Sequence, residues 1–468
     1  MRFARLKDLY PALRRPGVEF RSLPFWGWNA RLDKDELRRQ IADMKDKGMG
    51  GAFIHSREGL ETVYLSDEWM EDVRCCADAC KDKGLELWIY DEDKWPSGSA
   101  GGMVAAGDPQ RYAARGLTLE VRPWAGALAS DDTIVAQAQA RVEGHSILAL
   151  GEGDALLILR QEVSRPSEWY NGHMPSDCLS AEAMQRFVDL THERYKAALG
   201  DGIPGRVKGF FTDEPNFYDF FSSFTPGRPW LPWTGDLPEQ FIKRRGYDPT
   251  GRLFSLFFDM EGCARLRHDY WRTLTELFGE RCLKPMYDWC EAHGLRLTGH
   301  MLYENDLGYN IRVCGAAMPQ YRYLHAPGVD LLGEQTREYL TLKQTTSAAH
   351  QYGRDMVITE TYGCTGWQFD FEGQKWLGDW QFVMGVTRRC QHLMEYAITG
   401  CRKRDYPPVF NYQNTWWDYN GLMEDYFARL SACAAAGEVR RDILVIHPIS
   451  SRGRSAPPRR TRTFPTSR

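Results

Sequence analysis

The chain has 468 residues, 43% of them hydrophobic and 26% charged, with a formal net charge of −4. That length suits one large barrel with insertions, or two to three domains. The composition excludes a wholly disordered chain, and the slightly acidic balance excludes a general nucleic-acid binder.

The N-terminal run MRFARLKDLYPALRRPG has no apolar h-region and no small-residue cleavage site. No apolar run reaches the length of about 18 residues that a membrane span needs. The expectation is therefore a cytoplasmic protein with no membrane partner; nothing in the sequence sets the oligomeric state. From residue 22 a unit recurs: a short apolar strand, a polar residue at its C-terminal end, a loop, then an amphipathic helix. Such alternation predicts a parallel sheet.

The first strand lies near SLPFWGWN and ends at Asn29. Its helix carries Leu37, Ile41 and Met44 at helical spacing and stops at Gly48. The second strand, GGAFIHS, ends at His55, and the helix after it is capped by Ser66. The third, LELWIYDED, ends on Asp91, Glu92 and Asp93. Segments near 117–122, 133–141, 145–150 and 155–161 read as short strands of a small antiparallel sheet, inserted at about 104–178. The fourth barrel strand, RVKGFFTDEP, ends at Asp213 and Glu214. After a Trp/Pro/Phe-rich loop over 217–238 and a long helix pair, LRLTGHM ends at His300, GVDLLGE at Glu334 and DMVITETYG at Glu360 and Tyr362. The eighth strand is placed near YAITGCRKR, with Arg402 and Arg404 following, and a helix around 421–436 closes the barrel.

Eight units predict a (β/α)8 TIM barrel over residues 1–437, with the antiparallel insertion between the third and fourth barrel strands. A doubly wound sheet would alternate in the same way, but no Gly-rich phosphate fingerprint follows the first strand. Beyond the barrel, VRRDILVIHPIS reads as a strand without a partner. Residues 438–468 are expected to begin a truncated further domain and to end in a disordered, Arg-rich tail.

In a barrel the C-terminal strand ends converge on one cleft, which gathers Asn29, His55, Asp91, Glu214, His300, Glu334 and Glu360. Glycosidic cleavage generally needs two carboxyl groups, one to protonate the leaving oxygen and one to attack the anomeric carbon or activate water. FFTDEP and VITETYG each present an acid at a strand end, so Glu214 and Glu360 are the candidate pair. Each could instead be a structural carboxylate paired with Arg or Lys. His55 and Arg57 could bind hydroxyls or hold a carboxylate; a barrel-mouth histidine held by hydrogen bonds is the plainer reading. Asp91, Glu92, Asp93 and Trp95 form an acidic-aromatic loop suited to sugar hydroxyls or to Ca2+, which takes several oxygen ligands. A solvated loop is the alternative. Trp26, Trp28 and Trp367 are candidate stacking platforms or core residues. His55 and His300 with Asp91 could also ligate a transition metal. The 12 Cys lack a CxxC pair and read as reduced core thiols, with a zinc cluster as the competing reading.

These segments, PFWGWN (24–29), GMGGAFIHSREGLE (48–61), YLSDEWM (64–70), LWIYDEDKWPSGSAGG (87–102), FFTDEP (210–215) and ITETYG (358–363), resemble the α-L-rhamnosidases of glycoside hydrolase family 106 and their bacterial relatives. The resemblance covers about residues 20–436. It implies a carbohydrate substrate, a barrel with the acid after the fourth strand, at Glu214, and an inverting mechanism. The base would be among the carboxylates after the sixth and seventh strands, at Glu334 or Glu360. Retaining barrel hydrolases would instead make Glu360 a nucleophile. The resemblance also implies a possible calcium, whose ligands are unassigned. Asp213, Tyr362 and Trp367 join the expected substrate-binding set with Trp28, Asn29, His55, Arg57, Asp91, Trp95 and His300. Competing readings are an inactive sugar-binding barrel and a metal-dependent barrel hydrolase of amides or esters.

Overall fold

The computed structural model describes residues 6–217, 223–437 and 439–449. In chain order its strands are β1 (Phe25–Trp28), β2 (Gly51–Ser56), β3 (Glu86–Tyr90), β4 (Arg115–Pro123), β5 (Ile134–Glu143), β6 (Ser146–Leu150) and β7 (Ala155–Val163). They continue with β8 (Gly209–Asp213), β9 (Trp230–Trp233), β10 (Arg296–His300), β11 (Ala326–Leu331), β12 (Ile358–Thr361), β13 (Arg388–Gln391) and β14 (Met394–Glu395).

Nine strands pair in parallel in the order β13-β12-β11-β10-β8-β3-β2-β1-β14. Since β13 runs directly into β14, the order returns on itself, and the sheet is a nearly closed α/β barrel. Helices cover its outside because their apolar stripes need a surface to bury against. The helix Lys34–Asp46 is capped by Asp33, which accepts from the amides of Asp35 and Glu36, and it buries Leu37, Ile41 and Met44. The helix Asp67–Lys83 is capped by Ser66 and stops at Gly84, whose φ of 63° suits a residue without a Cβ.

The eighth strand position differs from expectation. Residues 396–404 form a loop and the 3-10 turn Gly400–Arg404, and the strand is the upstream RRCQ. Its outward side is polar: Arg389 and Gln391 both donate to Glu424 Oε1 at 2.9 Å, and Ser22 Oγ donates to Oε2 at 2.6 Å. A buried carboxylate on the helix Asn420–Ala434 thus replaces the apolar pattern that marks the other strands. The sixth strand also stops early, at Leu331, because Gly333 turns the chain at a φ of 79°.

The antiparallel sheet has the order β6-β5-β7-β4-β9. Its first four strands in the chain lie between β3 and β8. Its fifth, β9, comes from beyond β8, so the sheet joins the loops on both sides of that barrel strand. Residues 440–446 make no strand pairing among the described residues, and Ile443, Leu444, Val445 and Ile446 are each more than four-fifths exposed. The Arg-rich tail over 451–468 lies outside the described residues. Among the described residues no helix is long and apolar enough to cross a membrane.

Candidate active site

Successive strand residues point to opposite faces of a sheet, so each inward-facing position is followed two residues later by another. Phe53, Trp88, Phe211, Ala326, Ile358 and Cys390 fill the barrel interior. Two residues beyond Phe53, Trp88, Phe211, Ile358 and Cys390 stand His55, Tyr90, Asp213, Glu360 and His392. Asp330 stands four beyond Ala326, and His300 is paired in register with Asp213. This upper layer forms the floor of the cleft, in which Asp330 and Glu360 are register neighbours.

Glu360 is the centre of this layer. His300 Nε2 lies 2.7 Å from its Oε2, and His392 Nε2 lies 3.7 Å from its Oε1. Asp213 Oδ1 is 3.5 Å from His300 Nε2, and Tyr90 donates to Asp213 Oδ2 at 2.6 Å. The His55 ring stacks on Tyr90 with centroids 3.6 Å apart. Arg57 makes a bidentate pair with Asp405, at 2.9 and 2.5 Å, and its Nη1 lies 3.2 Å from His55 Nε2. A Cβ at Gly27 would meet Glu395 Oε2 at 2.8 Å and the Arg57 stem at 2.9 Å, so glycine there leaves room for both side chains.

Glu214 lies one residue past β8 with φ of 43°, a backbone region that non-glycine residues seldom occupy. That turn carries its side chain over the cleft. Trp95 Nε1 donates to Glu214 Oε2 at 2.6 Å, and Glu214 Oε1 faces His300 Nδ1 at 3.8 Å. The cleft has two lobes, of about 730 Å³ and about 670 Å³.

Burial pushes the carboxyls of Glu214, Glu360, Asp330 and Asp213 upward, those of Glu214, Glu360 and Asp330 well above the usual carboxylate range. Repulsion from Asp330, Asp213 and Glu360 adds to the rise at Glu214. At Glu360 and Asp213 the Arg57 cation opposes it. Burial drives His392 down to about 3 and His55 well below its ordinary range, so both imidazoles are neutral. Asp405, paired with Arg57, stays below the carboxylate range despite its burial.

The loop that carries Trp95 is built around Glu92. That buried carboxylate accepts from the amides of Asp93, Gly98, Ser99, Ala100 and Gly101 at 2.5–3.0 Å. Such a nest of backbone N–H groups fixes a turn that has no helix or ladder to hold it. Asp91 accepts from Ser97 Oγ at 2.6 Å, and Ser97 clamps the end of β8 through two 2.8 Å bonds with the Asp213 backbone.

Of the residues expected at the site, the cleft brings together Glu214, Glu360, Asp213, His55, Arg57 and Trp95, with His300 in its floor. Six others lie elsewhere. Glu334 is exposed, beyond the early end of β11. Trp28 is buried on the outward face against Trp26 and Trp69. Asn29 donates to Glu395 Oε2 and to the Ala397 carbonyl, tying β1 to β14. Asp91 serves the Ser97 clamp. Tyr362 is buried and donates to the Gln374 carbonyl. Trp367 is exposed, and its indole donates to the Lys403 carbonyl. The sequence reading missed Asp330, His392 and Asp405. A two-residue count from Gly328 along β11 would have found Asp330. His392 lies one residue past β13, a strand without apolar alternation, and Asp405 is in a loop that carries no periodic signal.

Asp213, His300 and Glu360 offer ligand atoms that all lie within 4.8 Å of one another. The family model described as alpha-L-rhamnosidase matches residues 163–448, a span that holds Asp213, Glu214, His300, Asp330 and Glu360. The chain belongs to glycoside hydrolase family 106. It is similar to a rhamnosidase from Novosphingobium sp. PP1Y, with a TM-score of 0.67 and 16% identity over 91% of this chain and 60% of that one. It is also 25% identical over 234 residues to a putative beta-glucuronidase of Formosa agariphila, which is 47% of this chain and 19% of that protein. The chain thus spans less than two thirds of the length of either relative. At 16% identity the structural likeness carries the barrel fold. The family match places this barrel among the glycoside hydrolases.

Proposed function

We propose that this barrel hydrolyses a glycosidic bond of an α-L-rhamnoside, with Glu214 as general acid and Glu360 as general base. The observation that carries the reading is the placement of these two carboxyls in one cleft on either side of His300. Burial and the charges of Asp330, Asp213 and Glu360 raise Glu214 so that it holds a proton, a rise that the Trp95 N–H on one oxygen only moderates. Burial raises Glu360 too, and the Arg57 cation nearby opposes that rise and favours the charged form. In the step proposed, Glu214 gives its proton to the glycosidic oxygen, and the leaving group departs as an alcohol. Water adds to the anomeric carbon, and its proton passes to Glu360.

An imidazole stands between the two carboxyls, Nδ1 3.8 Å from one and Nε2 2.7 Å from the other. That supports the wider separation, roughly 6.5–9.5 Å, which leaves space for the water of inversion. Asp330, beside Glu360, takes the place in this scheme that was expected of Glu334.

Four buried carboxyls with one guanidinium and three imidazoles nearby, of which His55 and His392 are neutral, form a set that needs protons or a cation to balance it. Asp330 Oδ1 is buried without a hydrogen-bond partner, and the set is rich in oxygen donors, so the residues fit a hard cation such as Ca2+. Asp330, Asp213 and Glu360 would hold it, and it would bind sugar hydroxyls. Calcium added after chelation should raise the melting temperature of the wild type and leave Asp330→Asn unmoved. The hydrolytic reading is tested by following nitrophenyl α-L-rhamnoside by proton NMR. The expected first product has the inverted anomeric configuration, and a panel of aryl glycosides among which the rhamnoside is untouched would refute the sugar assigned.

A further inference from the structure

All 12 cysteines are free thiols. Two of them, far apart in the chain, meet. Cys178 lies on the segment that leads into the helix Ala181–Leu190. Cys282 lies in the π-helical turn Gly279–Leu283, between the helices Cys263–Phe278 and Lys284–Ala292. The two thiols share a hydrogen bond, and both side chains are buried.

The contact is held from both sides. Arg281 donates to the Leu179 carbonyl at 2.9 Å and pairs with Asp236 at 2.8 and 2.6 Å, which ties the turn to the residue after Cys178. Asp177 accepts from the Leu179 amide at 2.9 Å and from Thr234 Oγ1 at 2.7 Å, which fixes the residue before it. Ser176 Oγ donates to the Gly98 carbonyl at 2.5 Å, and the Ser176 amide donates to Ser99 Oγ at 3.1 Å. A Cβ on Gly98 would stand 3.2 Å from Cys178 Sγ, so this sulfur sits directly against the loop that carries Trp95. A buried cysteine that only fills space behaves as a small apolar residue. Cys178 instead borders a small cavity lined by Ser97, Ser99, Ser176 and Asp177, with a second sulfur as its neighbour.

We infer that Cys178 and Cys282 are a disulfide site, oxidised by a small-molecule disulfide of the glutathione class. One thiolate attacks the oxidant, forms a mixed disulfide and releases one small thiol. The second cysteine then displaces the other half. Two protein S–H bonds and the S–S bond of the oxidant break, one S–S bond forms in the protein, and two electrons pass to the oxidant, which leaves as two thiols. Burial, and after it the hydrogen bond with Cys178, push the Cys282 thiol well above the usual range. Exchange at the folded pair is therefore slow, and the bridge forms as the chain folds. Bridges fail where they distort the backbone, and here the neighbouring bonds already bring the sulfurs together. The bridge closes a loop of about 100 residues and so stabilises the chain against unfolding. It also pins the seam behind the Trp95 loop. The inference is independent of the hydrolytic reading.

The test makes the full chain by cell-free synthesis twice, once in a mixture of oxidised and reduced glutathione and once in dithiothreitol. Each sample is denatured, its free thiols are alkylated, and its peptides are mapped by mass spectrometry. The glutathione sample is expected to yield the Cys178 peptide joined to the Cys282 peptide, and to melt about 3 °C or more above the dithiothreitol sample. Cys178→Ser and Cys282→Ser should each remove that rise, and Cys263→Ser should keep it. The peptide map is made on the wild type, so it decides even where a buried serine costs the fold. Alkylation of both Cys178 and Cys282 in the glutathione sample overturns the inference. So does glutathione left attached to either, or a bridge from either to a different cysteine.

Discussion

Trp95 donates its indole N–H to Glu214 at 2.6 Å, so the side chain placed as the acid is held by a loop that begins on a different barrel strand. The bond stabilises the charged carboxylate and moderates a rise that burial and the surrounding acids impose. Trp95→Phe keeps the ring and removes the donor. Glu214 should then hold its proton to higher pH, and the alkaline limb of kcat/KM should move upward. The rate at the optimum should fall about tenfold, because an aimed hydrogen bond is gone. An alkaline limb that moves down would contradict this account of Glu214.

Glu214→Gln keeps the shape of the side chain and removes the proton. Proton transfer to a departing oxygen is typically worth about 10²–10⁴-fold, so cleavage of a disaccharide should fall by that order while the melting temperature stays within a few degrees. Activated aryl glycosides, whose leaving groups need little protonation, should lose much less. Equal losses on the two substrates would place the acid elsewhere.

Glu360→Ala should cost as much on both substrates, since the base serves the water whatever the leaving group. Trapping separates the mechanisms. A covalent glycosyl adduct on Glu360, captured in the wild type with a fluorinated rhamnoside, would identify Glu360 as a nucleophile and overturn the inverting reading; the expected result is no such adduct.

Glu92 offers a prediction about stability and pH. Its carboxyl is fully buried, and burial lifts it to about 7 against the five amides that hold it down. A folded-state value above the unfolded one means that the native protein binds this proton more tightly. The associated stability is fully present below about 4.5 and is lost as pH rises through about 7. Glu92→Gln removes the titration and sets an amide N–H against backbone donors, at a cost of about 1–3 kcal/mol. In chemical denaturation the variant should be less stable than the wild type, by a gap that narrows between about pH 4.5 and 7. A widening gap over that range would reverse the sign assigned here.

The apolar run Ile443–Ile446 faces solvent, and we propose that it pairs with a sheet outside the barrel. A Leu444→Lys, Ile446→Lys double variant should leave the melting temperature of this chain unchanged within a degree or two, because no packing is lost. It should also reduce concentration-dependent association, since exposed apolar runs drive it. A marked drop in melting temperature would mean that the run is packed against the barrel.

Much of the barrel was legible because its strands obey one rule: apolar runs punctuated by a polar residue at the end. That rule places β1, β2, β3, β8, β10 and β12 correctly and gathers His55, Asp213, His300 and Glu360. It fails where another interaction substitutes for apolar burial. β13 carries charged residues outward because Glu424 receives them, so the strand reads as a loop. β11 stops short of the Gly-Glu pair that seemed to end it, which moves the acid from Glu334 to Asp330. Trp28, Asn29, Asp91 and Tyr362 lie at the right ends of the right strands. A strand end fixes height along the barrel, however; alternation turns Trp28 and Asp91 to the outer face, and Asn29 and Tyr362 lie past the ends of their strands, where the alternation no longer directs the side chain. At these four positions the side chain is spent on packing or on tying the loops.

The bond from Asn29 to Glu395 closes the barrel between residues 366 apart in the chain. The β1 strand leaves the ribosome early, yet its partner β14 is made only after nearly the whole barrel has been translated. Until then the nascent sheet has one unpaired edge at β1, and the aromatic residues of its interior are open on that side. Seams of such long sequence separation close slowly. A seam that can close only late in synthesis leaves the β1 edge as the place where the growing chain is most open to wrong partners.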